Sequence, residues 1–344
     1  MTHELPAWFQ AASLTAVLVI LAADLIIVGR RPHVPSMKES ALWVAFYVGL
    51  AIVFGAVVAL VGGAAPAGEF YAGWLTEYSL SIDNLFVFVI IMSRFAVPRQ
   101  HQQRVLMVGI IIALILRAMF ILAGAAIIER FSAIFYLFGA FLIYTAINLV
   151  KGDDDEAEFK ENPAIRMLRR ILPLSDAYDG AKVRTVVDGK RLFTPMLVVF
   201  VAIGSTDLLF AFDSIPAIFG LTKDPFIVFT TNVFALMGLR QLYFLLGGLL
   251  ERLVYLPIAL AVILGFIGVK LILEALHTNS LPFLNGGQGF PWAPEIPIWL
   301  SLAVIVGSLG IATVASLAKT RRTAALAAAD DAVATRDDEP RPGL

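Results

Sequence analysis

Two stretches with the same spacing of acidic residues decide the fold: Glu77-Tyr-Ser-Leu-Ser-Ile-Asp83-Asn84-Leu-Phe and Asp207-Leu-Leu-Phe-Ala-Phe-Asp213-Ser214-Ile-Pro216. In each stretch, five uncharged residues separate two carboxylates, and the flanking apolar runs are long enough to cross a bilayer. Ionisable side chains are costly at that depth, and those that occur there mark substrate or ion paths. The repeated spacing therefore predicts a membrane protein with a functional carboxylate site.

The composition agrees with this prediction. The 344 residues are 59% hydrophobic and 15% charged, with a mean hydropathy of +0.83. A soluble globular chain has about 25% charged residues. The absence of cysteine excludes disulfides, thiolate zinc sites and thiol catalysis. The sequence also lacks a GxxxxGK[ST] loop and a nucleophile–base constellation, so we expect neither an ATPase nor an enzyme, and no nucleic-acid partner.

Apolar runs of spanning length predict an all-α polytopic fold with about nine transmembrane helices. The runs lie near residues 8–29, 41–62, 70–93, 105–128, 131–150, 193–219, 226–250, 253–274 and 297–318. Lys and Arg are concentrated in alternate loops, above all in residues 151–192, whereas the other loops contain only Arg130 and Lys223. The positive-inside rule then predicts a cell-membrane protein with its N-terminus outside and its C-terminus in the cytoplasm.

An internal repeat extends beyond the acidic stretches. Asp207 and Asp213 follow Glu77 and Asp83 by the same interval of 130 residues. The pattern Arg117, Gly124, Glu129-Arg130 also recurs as Arg240, Gly247, Glu251-Arg252. Three membrane crossings separate the two copies, so they run in opposite directions. Inverted repeats of this kind are typical of transporters whose site lies near the bilayer midplane.

The repeat divides the chain into predicted units. These are two N-terminal helices (1–66), a first three-helix repeat (67–150), a cytoplasmic loop (151–192), a second, inverted repeat (193–274), an extracytoplasmic loop with the last helix (275–319), and a disordered cytoplasmic tail (320–344).

The acids of each pair would point about 120° apart on an unbroken helix, because six residues rotate by about 600°. We therefore expect breaks in these helices, favoured by Pro216 in the sixth, which leaves a carbonyl free. Our hypothesis places Asp83, Asn84 and Asp213 at the centre of one metal site. Glu77 and Asp207 close it or form adjacent subsites, and Ser81 and Ser214 lie beside the acids.

Three intramembrane cations, Arg117, Arg240 and Lys270, accompany these acids. They form structural ion pairs with the carboxylates, or they also keep the carboxylates charged until a metal displaces them; both interpretations stay open. Asp24 belongs either to the same path or to the membrane interface.

The side chains in the acidic stretches offer only oxygen ligands, because the four histidines lie in termini or loops. Oxygen ligands favour hard divalent cations such as Mn²⁺, Mg²⁺ and Ca²⁺ over zinc or copper. We expect this ion as the substrate, with no permanently bound cofactor.

These residues resemble the TerC family of integral membrane proteins, named for tellurium resistance. The resemblance runs from about Asp24 to Leu273, with its motifs at residues 80–88, 206–219, 225–232, 238–246 and 266–270. One departure is Gly204, where many members have a glutamate. The resemblance implies manganese export, whereas direct tellurite transport is disfavoured because the four carboxylates would repel an oxyanion.

The sequence thus predicts an exporter of a divalent cation, most readily Mn²⁺, with proton exchange as one way to drive it. A transporter of another cationic solute, such as an amino acid, is one alternative. The other is a membrane docking partner for membrane or secreted proteins in metal or tellurite stress.

Overall fold

The computed structural model describes residues 5–30, 35–130, 133–151, 166–167, 170–175, 177–187, 189–246, 254–279, 281 and 284–337. Within these ranges, nine helical segments are long and apolar enough to cross a membrane. The prediction of an all-α polytopic membrane protein is therefore confirmed.

Except for the C-terminal end of the last helix, the helices begin and end close to the predicted apolar runs. They are α1 (Ala7–Arg30), α2 (Met37–Gly62), α3 (Ala64–Arg94), α4 (Arg99–Arg130), α5 (Ile134–Lys151), α6 (Pro195–Phe219), α7a (Pro225–Leu236), α7b (Leu239–Leu246), α8 (Leu256–His277) and α9 (Ile298–Asp337). The pieces α7a and α7b together form the seventh span. Between α5 and α6, strands β1 (Arg184–Val187) and β2 (Lys190–Phe193) form an antiparallel hairpin.

Local sequence signals fix several helix starts. The Ser36 hydroxyl accepts a hydrogen bond of 3.2 Å from the Glu39 amide at the start of α2. An Asp224 carboxylate oxygen likewise accepts one of 2.9 Å from the Phe226 amide before α7a. Pro225 occupies the first position of α7a, where a main-chain amide would have no partner within the helix, so the amide that proline lacks is not missed there.

The helices of the two predicted repeats pack in reciprocal pairs. The first helix of the first repeat, α3, packs against the second helix of the second repeat, α7a. Conversely, the first helix of the second repeat, α6, packs against the second helix of the first, α4. The third helices, α5 and α8, pack against each other. The contact of α5 with α6 is matched by one of α8 with α3. This exchange of equivalent partners is the pattern that a two-fold relation between two copies produces.

The helices α5 and α8 cross with their main chains in contact at Gly139 and Gly268. A Cβ atom added to Gly268 would lie 2.8 Å from the carbonyl oxygen of Gly139, and one added to Gly139 would lie 2.7 Å from that of Gly268. Small residues permit such close approach between membrane helices.

Gly268→Ala is expected to lower the thermal unfolding midpoint of the protein in detergent, because the new methyl group must displace the α5 main chain. Overpacking of this kind costs about 1–3 kcal/mol. Gly265→Ala in the same helix is the control, since its added Cβ would lie 3.6 Å from Ala146, an ordinary contact. Equal midpoints for the two variants would contradict this account of the crossing.

The acidic helices are continuous, so the expected breaks in them are wrong. Both α3 and α6 run unbroken past their two acids. Pro216 lies in the last turn of α6, where its missing amide does not interrupt the segment between Asp207 and Asp213. The break falls instead between α7a and α7b, where Met237 is extended (ψ 127°) and Gly238 has a φ of +84°.

The C-terminal segment also differs from the prediction. The sequence predicts disorder from residue 320, but α9 continues to Asp337. Alanine is frequent in this segment and is the strongest helix former, so local propensity favours a helix where hydrophobicity is low. Most of the first half of the predicted loop 151–192 lies outside the described residues.

Candidate functional site

A buried arginine joins four helices near the middle of the bundle. Arg117 lies in α4 with 1% of its surface exposed. Its guanidinium contacts Glu77 of α3 and lies 3.6 Å from a carboxylate oxygen of Asp207 in α6. It also donates a hydrogen bond of 2.8 Å to Oδ1 of Asn232 in α7a. The first two spans of each repeat therefore contribute one side chain each.

Asn232 is a member of this cluster that the sequence analysis does not assign to the site. Its amide nitrogen donates to the Val228 carbonyl one turn earlier (2.9 Å), which leaves Oδ1 facing Arg117. The available signal is an amide side chain inside an apolar span. Such a residue needs a partner in the bundle, but the sequence does not tell which helix supplies it.

The cluster has one uncompensated negative charge when Glu77, Asp207 and Arg117 are all ionised. Among the described side chains, five buried oxygens near these residues in sequence have no hydrogen-bond or ion-pair partner: Thr76 Oγ1, Glu77 Oε2, Ser81 Oγ, Asp207 Oδ2 and Ser214 Oγ. Unpaired buried polar atoms are rare in native proteins and call for a bound water, proton or ion.

A small cavity adjoins the cluster. It has a volume of about 10 Å³ and is lined in part by Ser81, Asn84, Arg117 and Asp207. Leu236 and Leu239, on either side of the break in the seventh span, also line it. This volume corresponds to about one water molecule, so the space suits a single water or a dehydrated ion.

The structure brings together only part of the predicted metal site. The side chains of Asp83 and Asp213 lie outside the described residues, so their convergence stays a prediction. Asn84 and Asp207 share the small cavity, while Glu77 approaches Asp207 through Arg117. No three His, Cys, Asp or Glu side chains in the described part of the chain are close enough to hold a metal ion.

The other two predicted counter-charges lie elsewhere. Arg240 in α7b pairs with Asp24 of α1, with 3.1 Å between a guanidinium nitrogen and a carboxylate oxygen. Lys270 lines a separate cavity of about 330 Å³, together with Glu69 and Glu274. Of the three cations, Arg117 is the one that the structure brings to the central acids.

These features define a polytopic membrane protein with a buried ionisable cluster formed by four of its helices, α3, α4, α6 and α7a. The chain belongs to the TerC family, because its residues 62–324 match the model of the Integral membrane protein TerC family.

The alignments with relatives cover most of this chain. An uncharacterized membrane protein of Mycobacterium tuberculosis is 49% identical over 310 residues, covering 88% of this chain and 78% of the relative. An uncharacterized membrane protein of Myxococcus xanthus is 42% identical, covering 90% and 92%. The Escherichia coli protein Alx, named as a proposed membrane-bound redox modulator, is 38% identical, covering 85% and 89%. No solved structure gives a significant match.

Arg117→Gln is expected to destabilise the metal-free protein by about 3–5 kcal/mol, because it leaves two buried carboxylates without their cation. Added Mn²⁺ is expected to restore the thermal unfolding midpoint by occupying the vacated position between Glu77 and Asp207. The midpoints with and without Mn²⁺ test both statements.

Arg240→Gln is the matched control, since it also removes a buried guanidinium but leaves Asp24 as the unpaired acid. We expect Mn²⁺ to leave the deficit of this variant in place. Equal recovery of both variants, or of neither, would contradict a specific exchange between Arg117 and the metal.

Proposed function

We propose that this protein is a secondary transporter that exports a hard divalent cation, most readily Mn²⁺, across the cell membrane. The observation that carries the proposal is the pair of buried carboxylates, Glu77 and Asp207, which share one guanidinium beside a cavity of ionic size. The location of this cluster between reciprocally packed repeats supports a transport role, because transporter sites occupy that place.

The ligand chemistry supports the choice of ion. The described polar groups that border the cavity and are able to bind a cation, Ser81, Asn84 and Asp207, offer oxygen. Hard cations such as Mn²⁺ and Mg²⁺ prefer carboxylate and carbonyl oxygens, whereas zinc and copper favour nitrogen and sulfur. The predicted contributions of Asp83 and Asp213 would add negative charge and favour a divalent over a monovalent cation.

Arg117 supplies the counter-charge in the metal-free state. Its guanidinium compensates one of the two buried carboxylate charges, which are otherwise costly in an apolar bundle. A divalent cation that reaches Glu77 and Asp207 competes with the guanidinium for the same oxygens. The exchange keeps the net charge of the cluster small in both states, and protons returning on the acids are one means to drive export.

The direction of transport rests on the resemblance of the acidic motifs to manganese exporters. The name of the Escherichia coli relative suggests a redox role instead. The present sequence has no cysteine, so thiol chemistry is not available to it.

Mn²⁺ flux into proteoliposomes tests the proposal. We expect the wild-type protein to transport Mn²⁺, and Asp83→Asn, Asp207→Asn and Asp213→Asn to reduce the flux at least about tenfold, because each removes a negative charge from the site. Asp179→Asn, which alters an exposed carboxylate in the loop before the hairpin, is the control and should retain wild-type flux.

The same assay separates the alternatives. Competition by lysine but not by Mg²⁺ or Ca²⁺ would favour a transporter of cationic amino acids. Flux that responds to an imposed pH gradient would support proton exchange. Absence of Mn²⁺ flux from protein shown to be folded would overturn the proposal and favour a docking role.

A further inference from the structure

The seventh span is interrupted in the middle of the bundle. Helical main-chain hydrogen bonding stops at the Met237 amide, which donates to the Val233 carbonyl (3.0 Å). It resumes at the Leu242 amide, which donates to the Gly238 carbonyl (2.8 Å). Between these points, Met237 and Gly238 form a turn, and the carbonyls of residues 234–237 and the amides of residues 238–241 make no i→i+4 helical bond to one another.

These main-chain groups are enclosed by protein. Residues 230–243, which contain them, are all buried. Unpaired main-chain groups are strongly unfavourable away from water, and at membrane depth irregular backbone is tolerated only inside protein or beside an aqueous cavity. Any main-chain group that this turn leaves unpaired therefore needs a polar partner.

The interruption borders the candidate ion site. Leu236 ends α7a and Leu239 begins α7b, and both line the cavity of about 10 Å³ that Asp207, Ser81 and Asn84 also line. Of residues 234–237, Leu236 thus lines the same cavity as Asp207 and Ser81, whose Oδ2 and Oγ have no hydrogen-bond partner among the described groups.

We infer that the main-chain carbonyls of residues 234–237 are ligands of the transported cation, beside the side chains of Asp207, Ser81 and Asn84. The inference rests on the proposed function, which supplies the cation. It accounts for the shortage of clustered acids among the described side chains, because main-chain carbonyls are hard oxygen ligands that replace them. The amides at the start of α7b contribute positive potential that favours ionised carboxylates nearby.

Neighbouring helices hold the interruption in place. Gly238 adopts its positive φ against the ring of Tyr47 in α2, which would lie 3.1 Å from an added Cβ atom. Two residues later, Arg240 binds Asp24 of α1 through their 3.1 Å contact. The two N-terminal helices therefore fix the start of α7b, and with it the position of the free carbonyls.

The sequence allows a direct test, because Met237-Gly238 is its only Met-Gly pair. Protein labelled with carbonyl-¹³C methionine and ¹⁵N glycine gives one carbonyl–amide NMR signal, which arises from the interruption. A second sample with carbonyl-¹³C isoleucine reports Ile203-Gly204, one turn from Asp207, and Ile267-Gly268 at the α5–α8 crossing.

Paramagnetic Mn²⁺ broadens nearby signals, and the effect falls steeply with distance. We expect substoichiometric Mn²⁺ to remove the Met237-Gly238 signal before both Ile-Gly signals. Earlier loss of the Ile203-Gly204 signal would overturn the inference, because it would place the ion among the side chains alone. If Mn²⁺ flux is observed but the Met237-Gly238 signal persists with Mn²⁺ bound, the inference fails while the proposed function stands.

Variants at Gly238 give a second test. Gly238→Ala is expected to weaken Mn²⁺ binding about tenfold, because alanine resists a positive φ and favours a continuous helix that engages the free carbonyls. Gly238→Asn adds the same Cβ but tolerates this conformation better, so it should bind more tightly than the alanine variant. If both variants bind Mn²⁺ equally weakly, the inference is contradicted, because the loss then comes from the clash of the added Cβ atom with Tyr47. Gly307→Ala in α9, where nothing lies within 4 Å of the added atom, is the control.

Discussion

The structure depends on the burial of a guanidinium against two carboxylates in an apolar bundle. Arg117 is tolerable in α4 only because Glu77, Asp207 and Asn232 surround it. Each partner comes from a different helix, so satisfying one charge fixes the relative positions of α3, α4, α6 and α7a. A buried pair of this kind is weak evidence for stability but strong evidence for a specified arrangement, since any shift leaves an unpaired charge in a medium without water.

The elements that could be predicted from the sequence are those that hydrophobicity governs. Nine spans follow from apolar runs, and their bounds deviate by only a few residues, as α6 illustrates (predicted 193–219, observed Pro195–Phe219). Among the individual site residues, the sequence identifies Glu77, Arg117 and Asp207 as intramembrane ionisable groups. Their scarcity in apolar runs makes each of them conspicuous.

Tertiary packing determines what the sequence left open. Pro216 is the stronger local signal for a break, yet α6 continues through it, whereas Gly238 breaks the seventh span with no proline at the break. The reason is that Tyr47 of α2 and Asp24 of α1 hold the chain around Gly238, and no property of the seventh span alone indicates those contacts. The partner of Arg240 was likewise unpredictable, because the repeat suggests an equivalent of Arg117 but the N-terminal helices have no counterpart in it.

The contact between Glu77 and Arg117 also has a consequence for biogenesis. During synthesis α3 and α4 enter the bilayer before α6 and α7a have been translated, so Asp207 and Asn232 are not yet present. An isolated arginine at the centre of a membrane helix costs about 2.5–3.5 kcal/mol on insertion scales. Because its acidic partner Glu77 lies on the preceding helix, the charge of Arg117 is already compensated within the α3–α4 hairpin before α6 and α7a are made.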